Sequence, residues 1–393
     1  MNARLATASH PAQLPAPPPE AAALSEKLGR LIAAEIGRGG WLSFARYMEL
    51  ALYAPGLGYY MAGARKLGRD GDFVTAPEIS RLYGRTLARQ VGQLAELGFN
   101  EILEIGAGSG ALAADLLTEL EWLGRAPERY LILELSPDLR DRSRDTLAAR
   151  APHLLERVAW LSRLPPSFTG IVIGNEVLDA MPAHMFQREG GSILELGVAS
   201  RSGRFEWAPR SPVVPPDALD PSCFPADGYR SEIQFVARAF IKSLGATLAR
   251  GAALFIDYGF PRHEYYHPQR ARGTLMCHYR HRAHDDPFFL PGLQDITTHL
   301  DFSAIAQAGR EGGLELLGYT SQAQFLVNCG ITEILAETSA SDAAVYAPLA
   351  SQAQMLLAPA EMGELFKVIA FGKGVSAPLR GFIQGDRSHT LLR

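Results

Sequence analysis

Cysteine is scarce in this chain, with only Cys223, Cys277 and Cys329 among 393 residues. Three widely separated thiols exclude a disulfide framework and a zinc ribbon, and point to reduced thiols in a cytosol-like compartment. A surplus of positive charge is also missing, since the formal net charge is −4. That disfavours a general grip on nucleic-acid phosphates. No apolar run is long enough to span a bilayer, so membrane insertion is not expected. The opening "MNARLATASHPAQLPAPPPE" lacks the apolar centre of a signal peptide and is short of basic residues for a transit peptide. Its Ala/Pro composition predicts a disordered leader over residues 1–20 and, with the reduced thiols, a cytoplasmic protein. What remains is ordinary for a chain with a real core: 47% hydrophobic and 20% charged residues.

Two helical patterns occupy residues 21–53, the first stopped by Gly39-Gly40 and the second restarted at Ser43. A glycine-rich stretch, "APGLGYYMAGARKLGRDGDFVTAPEIS", reads as a long ordered loop, which compact domains rarely carry without a use for it. After the helix "EISRLYGRTLARQVGQLAELG", strand and helix patterns alternate, the mark of a doubly wound α/β sheet. "EILEI", "YLILEL", "RVAWL", "GIVIG" and "AALFIDYG" are its successive strands, and "FKVIAFG" is its last. Residues 192–208 predict a hairpin, a proline-rich loop runs to about 227, and a helix is expected from about Ser231. Residues 261–300 read as irregular.

The strongest local signal is "EILEIGAGSGALAADLL". Gly106, Gly108 and Gly110 form a strand-to-helix turn that a ligand can approach without meeting a Cβ, and the helix amides behind it favour polar groups. Gly106, Gly108 and Ala111 also fit the dinucleotide fingerprint, so hydride transfer from a nicotinamide cofactor is the competing enzyme reading. Glu104, two residues ahead of the first glycine, and the third glycine favour an E-x-G-x-G-x-G reading. Glu134 ends the second strand, where either kind of nucleotide site places an acid on ribose hydroxyls. In "GNEVLDAMPAHMF", Asn175, Glu176 and Asp179 follow a buried strand. If the chain turns helical there, the two carboxylates share a face and can hold a planar cation such as a guanidinium. The alternative is a helix cap with Asn175 as N-cap. In "PGLQDITTHLDF", Asp295 and His299 are spaced as a base held by a carboxylate, or as a plain hydrogen-bonded helix pair. The segment 262–284 holds five histidines and five arginines. Without an acidic or cysteine ligand pattern beside them, it reads as a mobile basic loop or substrate lid, with no metal.

Taken in order, "GYY" (58–60), "GDFVTAPEIS" (71–80), "EIGAGSG", "NEVLDAMP" and "PGLQDITTHLDF" resemble the MidA-type methyltransferases. That family is similar to a mitochondrial protein-arginine methyltransferase that assists assembly of respiratory complex I. The resemblance covers residues 24–373, and it implies a Rossmann-like class I methyltransferase core with an N-terminal helical cap and an inserted substrate region. The implied partition is a leader at 1–20, a cap and loop at 21–97, and a core at 98–260 that carries an insertion at 187–227. A substrate-side insertion at 261–313, the rest of the core at 314–373 and a tail at 374–393 complete it. S-adenosyl-L-methionine is the implied cofactor, bound by Glu104, Gly106, Gly108, Gly110 and Glu134. Asn175 lies by its methionine end, and Thr75 and Glu78 close over it. The implied acceptor is a protein arginine, in a complex I subunit or its homologue, with Glu176 and Asp179 as its carboxylates and Asp295 and His299 as second candidates. Arg85 departs from the family, standing where many members carry an acid. A third reading keeps the cofactor site in an assembly factor that has lost catalysis.

Overall fold

The computed structural model describes residues 14–63, 75–214 and 218–392. Part of the expected leader and the middle of the glycine-rich loop, including Gly71 and Asp72, therefore lie outside the described residues. The chain forms two compact units. Described residues 14–63, 179–214, 218–238 and 260–301 make one, and 75–178, 239–259 and 302–392 make the other.

The second unit is built on a mainly parallel sheet. Its strands are β1 (Glu101–Ile105), β2 (Arg129–Leu133), β3 (Val158–Leu161), β4 (Phe168–Asn175), β5 (Leu248–Phe260), β6 (Glu315–Ser321) and β7 (Phe366–Lys373). They run in the order β6-β7-β5-β4-β1-β2-β3. The five strands from β5 to β3 pair in parallel, while β7 runs antiparallel to both β5 and β6. This is the expected α/β class. The centre of β4, "GIVIG", is buried throughout, as a strand covered on both faces must be. Chain order reverses between β1 and β4, which makes their carboxyl ends the place where such sheets hold ligands.

Three helices support that edge: α1 (Arg81–Glu96), α2 (Ala111–Trp122) and α3 (Pro137–Arg150). Leu112, Leu116, Leu117 and Leu120 of α2 enter the core as their spacing predicts. Buried Asp115 pairs with Arg81 of α1 and Arg150 of α3, tying the three together. Arg85 is accounted for in the same way. Its Nε donates to Glu119 at 2.6 Å and its Nη2 to Glu337 at 2.7 Å, so the basic residue joins helices.

In the first unit, helix Pro19–Gly39 starts inside the stretch expected to be a leader. It ends where Gly40 takes φ 72°, and Ser43 caps the next helix, Phe44–Tyr53, by accepting from Arg46 N. The expected hairpin is present as Ser192–Arg201 against Arg204–Arg210. Two expectations fail. Arg230–Ile233 is a strand paired with His184–Glu189, and helix begins only at Phe235. Residues 261–300 are not irregular throughout. Met276–Tyr279 pairs with both Arg282–His284 and Asp295–Thr297. Cys277 and Tyr279 alternate into the core, a period of two that the density of His and Arg obscured. Among the described residues no group of three His, Cys, Asp or Glu could hold a metal ion, and no helix is long and apolar enough to cross a membrane.

Gly197 shows how tightly this unit is packed. A Cβ there would lie 2.2 Å from the Trp41 ring and 2.3 Å from Leu42 O. Gly197→Val is therefore expected to lower stability by about 1–3 kcal/mol, the usual cost of overpacking. Urea unfolding checks this, with an unchanged midpoint counting against the close approach.

Candidate functional site

Most of the sequence-predicted cofactor residues gather at the carboxyl ends of β1, β2 and β4, within the second unit. Glu104 is buried in β1 and accepts from the Tyr130 hydroxyl at 2.8 Å. Burial raises its pKa from the ordinary 4.5 to about 7; the Tyr130 bond partly offsets this and the Glu134 charge adds to it. Beyond β1, Gly106, Gly108 and Gly110 all take positive φ (67°, 54° and 80°), which explains why glycine recurs there. Gly110 has a second reason. A Cβ would come within 2.8 Å of Ser143 Cα in α3, so its smallness serves helix packing.

Glu134 closes the turn from the other side. Its carboxylate accepts from Gly108 N at 3.3 Å and Ser136 N at 2.9 Å. Burial nevertheless keeps its pKa raised, with those backbone bonds pulling the other way. Glu78 joins the same neighbourhood by accepting from the Ser109 hydroxyl. Thr75 precedes the short helix Ala76–Ile79 without a side-chain cap bond, and its carbonyl accepts from Glu78 N at 2.9 Å.

At the end of β4 the expected helix does not form. Residues 176–183 are turn and irregular chain, so Glu176 and Asp179 share no helical face, and Asn175 is no N-cap. The immediate reason is the backbone of Glu176, whose φ of 53° is not helical. Asp257, near the end of β5, holds the turn, its Oδ2 accepting from Val177 N at 3.1 Å and Leu178 N at 2.8 Å, and Glu176 N bonds to Ile256 O. The positive φ of Glu176 is costly for a side-chain-bearing residue. Its Oε1 accepts from Asn175 Nδ2 at 3.1 Å and Ala76 N at 3.3 Å, while Asn175 Oδ1 accepts from the buried Tyr83 hydroxyl.

Sequence reasoning missed Tyr83 and Asp257. Asp257 carried the same signal as Glu134, an acid closing a buried strand. Tyr83 had none, since an aromatic in an amphipathic helix reads as core.

The remaining candidates belong to the first unit. Asp179 is buried, and its carbonyl accepts from Thr298 N at 3.1 Å. Asp295 is also buried and accepts from the Tyr60 hydroxyl at 2.8 Å and Ile296 N at 3.0 Å. Tyr60 stacks on Tyr53 with ring centroids 5.5 Å apart. Its own pKa is pushed well up by burial, then by the charges of Asp295 and Asp179. Asp295 and His299 are not on the expected helix, since Asp295 belongs to the strand Asp295–Thr297. The His299 ring centroid lies 5.5 Å from that of Phe260, while the backbone N–H of His299 donates to Thr274 Oγ1 and its carbonyl accepts from Gln234.

Residues 82–320 match the family model described as S-adenosyl-L-methionine-dependent methyltransferase. A Burkholderia thailandensis protein whose crystal structure is bound to S-adenosyl-homocysteine is 53% identical with TM-score 0.93, covering 96% of this chain and 100% of that one. Protein arginine methyltransferase NDUFAF7 of Mus musculus is 30% identical over 371 residues, covering 84% of this chain and 81% of the relative. The Danio rerio counterpart is 27% identical, covering 88% and 86%. Both are named mitochondrial, which overturns the expectation of a cytoplasmic location.

The environment of Glu104 yields a pH test. Its folded pKa is raised, so its contribution to stability is complete below about 4.5 and is lost as pH rises through about 7. Relative to Glu104→Gln, the wild type should lose on the order of 3 kcal/mol between those values. Denaturant titrations of both proteins across this window check it, and parallel curves would remove the raised pKa.

Proposed function

The chain belongs to the S-adenosyl-L-methionine-dependent methyltransferase family, and from that premise we propose that it methylates an arginine side chain of a protein substrate, a subunit of respiratory complex I or its homologue. The coarser statement, a methyltransferase that uses S-adenosyl-L-methionine, needs no proposal, and it displaces the hydride-transfer reading. The arginine reading is supported by relatives named protein arginine methyltransferases that align over more than four-fifths of the chain.

The residues present fit the cofactor. Gly106 and Gly108 keep two positions of the turn free of side chains, and beside it Glu134 is a buried carboxylate held by backbone amides. Glu134 would accept from ribose hydroxyls, and Asn175 would hold the methionine end. Thr75 and Glu78 are proposed to close over the cofactor, and Glu104 to set the charge beneath the glycine turn. When bound, the cofactor supplies an electrophilic methyl group on a sulfonium.

The protein's own task is alignment and proton removal. A protonated, delocalised guanidinium is a poor nucleophile, so a carboxylate must orient it and take its proton as the new N–C bond forms. Glu176 is the first candidate, because its backbone strain fixes the side chain beside Asn175. Asp179 is the second. Asp295 and His299 are the further candidates for that base.

Glu134→Ala should weaken S-adenosyl-L-methionine binding by about 1.5–3 kcal/mol while the protein still melts cooperatively. Calorimetry measures it, and unchanged affinity would reduce Glu134 to a buried strand-end acid.

Glu176→Gln should retain cofactor affinity and lose methyl transfer by at least ~10², the scale of a general base. The assay uses labelled cofactor, cell extract and mapping of the labelled residue. Label on another residue type would overturn arginine as acceptor. Cofactor binding without any transfer would favour the inactive assembly factor.

A further inference from the structure

A cavity of about 480 Å³ opens in the first unit, and none of the candidate residues assigned so far lines it. Met185, Leu196 and Trp207 supply its apolar lining, and Arg230, Arg272 and Asp285 its charge. The aromatic wall is rigid, because Trp207 packs on Phe44 and Phe288 with centroids 4.8 Å and 5.0 Å away.

The two arginines are presented deliberately. Their backbones form a parallel bridge, and Arg230 N donates to Ala271 O at 2.9 Å. The loop carrying Arg272 is anchored from below by Glu232, which is fully buried. Its carboxylate accepts from Thr274 N at 2.9 Å, Leu275 N at 2.9 Å and the Thr274 hydroxyl at 3.1 Å. Gly273 must be glycine for this wrap, since a Cβ would sit 2.3 Å from Glu232 Oε1 and φ is 78°.

Other arginines of the same segment are already spent. Arg262 pairs with Asp220, and Arg270 lies over Phe260 and donates to the carbonyls of Glu264 and Tyr265. Arg230 donates only to the neutral Gln187 amide, at 2.6 Å, and Arg272 is exposed. Among the described residues, neither guanidinium is in an ion pair.

We propose that this cavity docks an acidic segment of the protein substrate, with a carboxylate on Arg230 and Arg272 and a neighbouring apolar side chain against Trp207. Guanidinium groups recognise carboxylates in paired, directional contacts, and an aromatic floor beside them matches a peptide. A nucleic-acid strand fits less well, because two guanidinium groups in one cavity are a local charge and not the basic stripe that a phosphate backbone needs. The proposal rests on a protein being the substrate, and it makes the cavity a specificity site apart from methyl transfer.

The test uses the full-length protein and fluorescein-labelled peptides of alternating glutamate and leucine, with glutamine-leucine peptides as controls. Anisotropy should show the acidic peptide binding at least ~10-fold more tightly than the control, with affinity falling as salt rises. Arg272→Glu, an exposed position, should abolish that preference, and Arg230→Gln should reduce it, while both variants keep the wild-type affinity for S-adenosyl-L-methionine. Equal binding of the two peptides, or an unaltered preference in Arg272→Glu, would overturn the docking site. So would single-stranded DNA binding as tightly as the acidic peptide. Persisting methyl transfer to arginine in either of those cases leaves the proposed function standing. Conversely, an acidic preference lost in Arg272→Glu supports the site even if the label maps to another residue type.

Discussion

The carboxylate of Asp257 governs the part of the molecule where chemistry is expected. One of its oxygens takes the amides of Val177 and Leu178, and the other accepts from Tyr258 N at 2.9 Å. Those bonds are formed by a buried group, so breaking them leaves an acceptor that nothing solvates. The chain leaving β4 is therefore pinned at Val177 and Leu178. It is drawn toward β5, Glu176 accepts a left-handed backbone, and Asn175 and Glu176 are held side by side.

Glutamates play the corresponding part elsewhere. Glu134 gathers Gly108 and Ser136, and Glu232 gathers Thr274 and Leu275. In each case a buried carboxylate shapes a loop by accepting backbone N–H groups, which favours the charged form against the burial that disfavours it. Loops held in this way are ordered without secondary structure of their own. That is what a binding surface needs if it is not to lose entropy on meeting a ligand.

Glycine is used for two different ends in one short motif. Gly106, Gly108 and Gly110 share positive φ, but Gly110 is pressed against the backbone of α3. A family pattern read as cofactor contact thus contains a packing requirement. Methyltransferase identity follows from the family match, whereas the acceptor is a proposal that depends on groups from a different part of the chain.

The alternation of apolar strands and helical repeats determined the α/β class, the strand sequence from β1 to β5 and the glycine turn after β1. These depend on residues close in sequence and on burial of continuous runs, which periodicity reports directly. Glu104 and Glu134 were legible for the same reason, as acids placed beside buried strands. Tertiary structure alone decided the rest. The turn taken by "NEVLDAMP" is held by Asp257, eighty residues from Val177. Asp295 became a strand residue rather than a helical one by pairing with Met276–Tyr279. Tyr83 became a partner of Asn175 only because α1 was brought to the end of β4. Local pattern carries local propensity, but hydrogen bonds between distant segments choose among the conformations that propensity allows.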